Sequence, residues 1–150
     1  NTPHSIAISE DRRVFVLDRG HARMQVFDEN GNFLDMWPLT SPHWPDDQNT
    51  LMVNHFIDTD GNIWVGDAPT SRILKFDLEG NHLYSWGSPG PEAGRLACSH
   101  GITTDQLGNL YIADCFAGRI QKFEPIPGSD PSKLAGQILR TWDTYQAPAQ

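Results

Sequence analysis

The 150-residue sequence is poor in the features that mark several large classes of protein. It has 11 Lys and Arg against 19 Asp and Glu, a formal net charge of −8 and no basic cluster. Nothing in it attracts a phosphate backbone or an anionic lipid surface, so we expect neither nucleic acid nor membrane as a partner. No apolar run approaches the roughly 20 residues that span a bilayer. No segment has the periodicity of a helix.

One pattern, in contrast, is present three times, at residues 3–37, 54–87 and 99–142. Each copy has an apolar strand that ends in Asp, an Arg five residues later, and a last strand that ends in Trp. These residues are Asp18, Asp67 and Asp114, then Arg23, Arg72 and Arg119, then Trp37, Trp86 and Trp142. Repeats of roughly 45–50 residues with four short strands each are typical of β-propeller blades.

Apolar and polar residues alternate with period two within each copy, as in half-buried antiparallel strands, and Gly-Asn turns separate them. The strands are predicted at about 5–9, 13–17, 23–27 and 33–37, at about 54–58, 62–66, 72–76 and 82–86, and at about 101–105, 109–113, 119–123 and 137–142. The sequence therefore predicts one all-β domain of three four-stranded blades.

Three blades do not close a ring, because propellers need roughly four to eight. We expect this chain to form half of a six-bladed β-propeller. Either a second copy completes the ring as a homodimer, or the missing blades belong to a longer parent chain. Asn1 falls within a predicted blade, so we also expect that a Met, a signal peptide or an upstream blade is left out of this sequence.

The segments Gly101-Ile-Thr-Thr-Asp105, Gly108-Asn-Leu-Tyr-Ile-Ala-Asp114 and Gly118-Arg-Ile-Gln-Lys-Phe123 resemble the NHL repeat. Pro3-His4-Ser5-Ile6-Ala7, with Leu17-Asp18-Arg19 and Arg23-Met-Gln-Val-Phe27, resembles one NHL branch, the peptidyl-α-hydroxyglycine α-amidating lyases. That resemblance implies a six-bladed enzyme with zinc held by His at the starts of alternate inner strands. It also implies an Arg after a strand-b Asp and a Tyr that acts as base.

The histidines can be compared with that pattern directly. His4 and His100 each lie 14 residues before the strand-b Asp of their blade, whereas Val53 holds this position in the second blade. The two imidazoles are candidate zinc ligands on one face of the ring, with calcium left open as another metal. A structural reading is also open, because a histidine at a strand start readily bonds a neighbouring carbonyl. His55 is displaced by two positions and is an additional candidate for ligand contact.

Only the first blade has a cation, Arg19, directly after the strand-b Asp, and the lyase resemblance makes it a candidate for gripping a substrate carboxylate or stabilising its developing charge. An exposed loop arginine is the other reading. The expected tyrosine positions hold Gly20, Pro69 and Phe116, none of which can accept a proton. We expect the tyrosine and a third His upstream if the sequence is a fragment, whereas the lyase mechanism fails if the chain is complete. Phe116 and Trp44 are instead candidates for ligand contact.

Cys98 precedes the first strand of the third blade and Cys115 follows its second strand, so both are expected at one end of the same sheet. A disulfide is sterically plausible there, and the lyase resemblance implies a similar pair. Such a bridge would favour an extracytoplasmic location. Two thiols, or a metal site of Cys98 with His100, are the alternatives.

The constant five-residue spacing of the Asp–Arg pairs indicates a structural clamp between strands b and c, and the three Trp indicate packing between blades. For function we carry three hypotheses. The first is a ligand-binding or scaffold propeller acting through its axial face, the second a metal-dependent lyase, and the third a protein-interaction platform with an acidic rim.

Overall fold

The computed structural model describes residues 1–39 and 51–136, which form three antiparallel sheets. Sheet 1 contains β1 (Pro3–Ile8), β2 (Val14–Asp18), β3 (Arg23–Phe27) and β4 (Phe33–Pro38). Sheet 2 contains β5 (Met52–Ile57), β6 (Ile63–Asp67), β7 (Arg72–Phe76) and β8 (His82–Trp86). Sheet 3 contains β9 (Ser99–Thr104), β10 (Leu110–Asp114) and β11 (Arg119–Phe123).

Each sheet is a meander in which consecutive strands pair, and β5 lies between β1 and β9. The first strands are therefore the innermost ones, as in a propeller. Strands β3, β7, β8 and β11 have the predicted bounds, while the innermost strands begin two residues earlier than predicted. The predicted strand at 137–142, with Trp142, lies outside the described residues, as does Trp44.

Apolar side chains from facing sheets fill the two spaces between the sheets. Phe15, Leu17, Met24 and Val26 of sheet 1 pack against Ile57, Ile63, Val65, Leu74 and Phe76 of sheet 2. Phe56, Trp64 and Ile73 of sheet 2 pack against Ile102, Leu110 and Ile112 of sheet 3. Full burial of each side chain of this size contributes about 1.5–3 kcal/mol to stability. The apolar side chains that alternate along the strands therefore hold neighbouring sheets together.

Two of the repeated tryptophans lie in these spaces, as predicted. The Trp37 ring lies 5.7 Å from the Phe76 ring of sheet 2, and the Trp86 ring lies 4.9 Å from the Phe123 ring of sheet 3. Gly80 is required beside Trp37, because a Cβ on Gly80 would lie 2.5 Å from the indole. The repeat thus places one aromatic pair at each junction between sheets.

Four of the tight turns between strands share a carboxylate that the sequence patterns did not reveal. In each, an Asp side chain accepts a hydrogen bond from the backbone N–H of an Asn four residues later, and a glycine between them has positive φ. The pairs are Asp28 with Asn32, Asp58 with Asn62, Asp77 with Asn81 and Asp105 with Asn109. These Asx-type turns fix the hairpins by local bonding.

The helices among the described residues are 3-10 segments of three residues each, at Arg19–His21, Cys115–Ala117 and Pro131–Lys133. Within those parts of the chain, no helix has the length and apolar character needed to cross a membrane.

Candidate functional site on the axial face

The innermost strands all begin at the same end of the sheets, where the β2–β3, β6–β7 and β10–β11 loops also lie. We call this end the axial face. The pairing register of each innermost strand is broken there by a bulge, at His4 in β1, at Val53 in β5 and at His100 in β9. Bulges turn a side chain out of the regular alternation. His4, Val53 and His100, which all lie 14 residues before the strand-b Asp, therefore also share a backbone bulge.

The structure brings His4 and His100 together although they belong to the first and third sheets. Their ring centroids are 5.5 Å apart, with the ring planes at 72°. His4 is partly exposed and His100 is exposed, so a ligand can reach both. Two imidazoles bound to one zinc ion through Zn–N bonds of about 2.0–2.1 Å place their centroids about 5 Å apart. The observed separation is close to that value.

One backbone carbonyl fixes the orientation of His4. The Val53 carbonyl oxygen lies 2.7 Å from His4 Nδ1 and accepts a hydrogen bond from it. Nδ1 therefore carries the proton, and Nε2 keeps its lone pair for an outside partner. Metal-binding and substrate-binding histidines are commonly oriented in this way by a second group. Val53, which interrupts the His pattern, thus contributes its carbonyl to the same site.

The pair does not by itself complete a metal site. Within residues 1–39 and 51–136, no group of three or more His, Cys, Asp or Glu side chains is placed to hold a metal ion. A catalytic zinc normally has three protein ligands and one open position. The described residues therefore fit zinc only as a two-ligand fragment.

Arg19 lies at the axial face in the β2–β3 loop, in the 3-10 segment that follows Asp18. Its backbone N–H donates to the Thr2 carbonyl at 3.2 Å, which ties the loop to the start of β1. The side chain is partly exposed and makes no hydrogen bond or ion pair with any described residue. Its guanidinium is therefore available to an anionic group on that face.

The predicted Asp–Arg pairs of the first and third blades are in contact. Arg23 Nε donates to Asp18 Oδ2 at 2.7 Å, and Arg119 Nε donates to Asp114 Oδ2 at 3.0 Å. Burial favours the protonated form of Asp18, yet hydrogen bonds from the Asn1 amino group, Arg23 and His21 outweigh it and hold the Asp18 pKa below its ordinary value.

In the second blade, Asp67 and Arg72 face each other across β6 and β7. Thr70 Oγ1 also donates a hydrogen bond to the Asp67 carboxylate.

Asp114 connects its pair to the cysteines. Its Oδ1 accepts hydrogen bonds from the Ala97 and Cys98 N–H groups at 2.8 and 2.7 Å. Burial opposes ionisation of Asp114, but these N–H groups and Arg119 lower its pKa overall. The carboxylate thereby clamps the loop before β9 against β11, on the axial face beside His100.

Cys98 and Cys115 lie at the same end of sheet 3, as predicted, with Cys98 buried and Cys115 exposed. The Cys98 carbonyl also accepts the Cys115 N–H at 2.9 Å. Burial, together with the Cys115 contact, raises the pKa of the Cys98 thiol to about 12. The disulfide stays a prediction.

His55 lies apart from the pair. It is 4% exposed, between sheets 1 and 2, and its Nδ1 is 2.6 Å from the Ser5 hydroxyl. Burial lowers the pKa of His55 to about 4, against a weaker opposing effect of the Phe15 backbone. The residue therefore lies in the junction between sheets 1 and 2 as a neutral imidazole, and its contact with a ligand stays a prediction.

Phe116 is 82% exposed in the β10–β11 loop on the axial face, so its ring is accessible to a ligand or a protein. The bulges, the Val53 carbonyl and the Ser5–His55 contact were not found from the sequence. The bulges carry no residue signature, and both contacts join residues about 50 positions apart. The equal spacing of His4 and His100 was the only signal of their proximity.

Comparison with known proteins agrees with the fold. A family model described as NHL repeat matches residues 1–27. The human protein named NHL repeat-containing protein 3 is 28% identical over 149 residues, which covers 88% of this chain and 38% of that protein.

Solved structures give the same result at lower identity. A structure titled streptogramin B lyase is 18% identical, with a TM-score of 0.59 over 84% of this chain and 41% of that one. A luciferin-regenerating enzyme is 17% identical, with a TM-score of 0.60 over 89% and 46%. The chain thus spans less than half the length of these relatives. Together the likenesses support an NHL-repeat β-propeller fold, and the amidating-lyase branch stays a prediction.

Proposed function

We propose that this chain is a ligand-binding or scaffold module that takes its ligand at the axial face, between His4 and His100. The observation that carries the proposal is the convergence of two accessible imidazoles, 5.5 Å apart, from sheets that are not sequence neighbours. The orientation of His4 by the Val53 carbonyl leaves Nε2 free to accept a hydrogen bond or to bind a metal.

The ligand class follows from the groups on this face. The Arg19 guanidinium suits a small molecule that carries a carboxylate, while His4 Nε2, which keeps its lone pair, suits a hydrogen-bond donor such as a hydroxyl group on the same molecule. The high net negative charge of the chain makes an anion unfavourable elsewhere on its surface, so a carboxylate would depend on these few groups. Phe116, exposed on the same face, adds an apolar surface for the rest of the ligand.

A metal-dependent lyase that resembles the amidating enzymes is the second candidate, and the His pair is also its supporting observation. It would need a third ligand and a base from residues beyond those described. A protein-interaction platform is the third candidate, supported by exposed Phe116 on an acidic chain.

Metal analysis and ligand titration separate the first two. Purified protein is analysed for zinc and then titrated with Zn²⁺ and with a panel of small carboxylates, by calorimetry. Stoichiometric zinc that is lost in His4→Ala or His100→Ala favours the lyase, whereas carboxylate binding that is lost in the same variants without zinc favours the binding module. His21→Ala is the control, since His21 lies on the same face but contacts Asp18. Binding of neither probe would contradict the proposed site.

A further inference from the structure

The junction between sheets 2 and 3 contains a cavity on its outer side. Its volume is about 470 Å³, and small-molecule sites typically have roughly 300–1,000 Å³. Strands β6, β8, β10 and β11 contribute side chains to its wall, whereas the innermost strands β5 and β9 contribute none. Both sheets belong to this chain, so the cavity does not depend on what lies beyond sheet 1 or sheet 3.

The equivalent space between sheets 1 and 2 is closed. There Trp37 packs against Phe76, and Gly80 of the β7–β8 turn lies directly against the indole ring. Trp86 has the equivalent strand position in sheet 2. Trp37 is 8% exposed, whereas Trp86 is only half-buried. The two junctions therefore differ in how well the outer tryptophan is covered.

The difference comes from the chain that follows the third strand of each sheet. After β7, residues 77–81 form a tight turn that leads directly into β8. After β11, residues 124–136 contain a 3-10 segment and no strand. We call these residues the strap. The strap replaces the tight turn and leaves space over Trp86.

Buried charged groups hold the strap in position. Lys75 Nζ donates to the carbonyl oxygens of Ser132 and Leu134 at 2.7 and 3.2 Å. The Gly136 N–H donates to Asp58 Oδ2 at 3.0 Å. Lys75 and Asp58 are 3% and 0% exposed, and buried charges are stable only with partners. These bonds fix the strap against sheet 2, so the cavity is a defined part of the fold.

Aromatic rings form much of the cavity wall, with Tyr84, Trp86 and Phe123 among its lining residues. The Trp86 and Phe123 ring centroids are 4.9 Å apart, with the ring planes at 65°. Aromatic pairs prefer edge-to-face and offset-stacked arrangements, which a further flat ring can extend. The wall therefore suits a flat aromatic group.

Lys133 is the charged group of the wall that can pair with a ligand. Its Nζ lies 5.5 Å from the centre of the Tyr84 ring, and it donates no hydrogen bond to any residue that the structure describes. The acidic side chains of the wall already have partners. Glu124 accepts a hydrogen bond from a neighbouring lysine at 2.6 Å, and Asp130 accepts from the Ser132 N–H and hydroxyl at 3.0 and 2.8 Å. A carboxylate on the ligand would therefore find a cation to bond.

We propose that this cavity binds a flat aromatic molecule that carries a carboxylate group. The ring packs against Trp86 and Phe123, and the carboxylate accepts a hydrogen bond from Lys133. Pockets of this kind combine a mainly apolar wall with a few polar groups that orient the ligand. The site is separate from the axial face and does not rest on the function proposed for that face.

A nuclear magnetic resonance titration of the isotope-labelled 150-residue chain with 2-naphthoate tests the proposal. The Trp86 indole N–H signal, assigned by its loss in Trp86→Phe, should shift with a dissociation constant of about 1 mM or tighter, as a ligand of this size allows. Naphthalene-2-carboxamide keeps the ring and lacks the charge. Lys133→Gln should weaken 2-naphthoate by about two- to fivefold and leave the carboxamide unchanged, because Lys133 is exposed at the wall.

Two further variants locate the bound probe. Ser129→Trp, at a half-buried position of the wall, should fill the cavity and abolish binding of both probes. His4→Ala is the control, since His4 lies on the axial face, and it should bind 2-naphthoate as the wild type does. Circular dichroism checks that each variant is folded. An unshifted Trp86 signal at ten times the expected dissociation constant would overturn the proposal. Binding that Lys133→Gln leaves unchanged, or that His4→Ala abolishes, would overturn it as well.

Discussion

Replacing His55 by Asn should remove most of the loss of stability that the wild type shows below neutral pH. The imidazole is 4% exposed and its pKa is lowered to about 4, whereas an unfolded chain has a histidine pKa of about 6.5. Between these values the unfolded state binds the proton and the folded state does not. Stability is therefore fully present above about pH 6.5 and falls as the pH drops toward about 4, by about 2 kcal/mol between pH 8 and pH 5.

The assay is urea unfolding followed by Trp fluorescence at several pH values from 8 to 4.5. Asn places a polar atom near the position of Nδ1, so that it can still bond the Ser5 hydroxyl, and it does not titrate. Ser5→Ala is the matched control, because it removes the hydrogen bond but keeps the buried imidazole. It should lower stability at every pH and preserve the pH dependence. Equal pH dependence in wild type and His55→Asn would refute the reasoning.

Three further predictions concern the rest of the fold. Asp114→Ala should lower the free energy of unfolding by about 1–3 kcal/mol in urea titrations, because it leaves the Ala97 and Cys98 N–H groups without their acceptor, while Arg119 keeps its bonds to backbone carbonyls. Gly80→Ala should lower the free energy of unfolding by about 1–3 kcal/mol more than Gly31→Ala, because the new Cβ at position 80 would meet Trp37. If Cys98 and Cys115 form a disulfide, a reducing agent should lower the melting temperature, by the equivalent of about 3 kcal/mol.

Each of these has its own control. Gly31→Ala matches Gly80→Ala, since both glycines have φ of +85° but Gly31 has no atom within 4 Å of its Cβ position. Equal costs for the two would contradict the packing argument. Asp35→Ala, at an exposed strand residue, should change stability by at most about 0.5 kcal/mol, and an equal loss in Asp114→Ala would disprove the clamp. Two free thiols in unfolded, unreduced protein would exclude the disulfide.

The sequence predicted those features that recur at constant spacing. The strands that follow the Asp residues, the Asp18–Arg23 contact and the aromatic junction at Trp37 all depend on short or repeated offsets. The 14-residue offset also placed His4 and His100 on the same face, where their rings are in contact range. Because a repeat keeps each residue at the same strand position from one copy to the next, these features could be predicted from the sequence alone.

Features that break the period could not be found in this way. The innermost strands begin two residues early because a bulge at His4 and its equivalents hides the alternation. The side chain of His55, two positions after the bulge in its own strand, is buried between the sheets, and the residue pattern did not indicate this burial. The Val53 carbonyl orients His4 from the adjacent sheet, and no side-chain pattern records a backbone group.

The central claim is that His4 and His100 form one binding site, and Cu²⁺ is a direct probe of it because imidazole is a good ligand for this ion. Pulsed electron paramagnetic resonance of one equivalent of Cu²⁺ counts the imidazole nitrogens bound to the metal. We expect two in the wild type and one in His4→Ala and in His100→Ala. A single imidazole in the wild type, or two in either variant, would contradict the account.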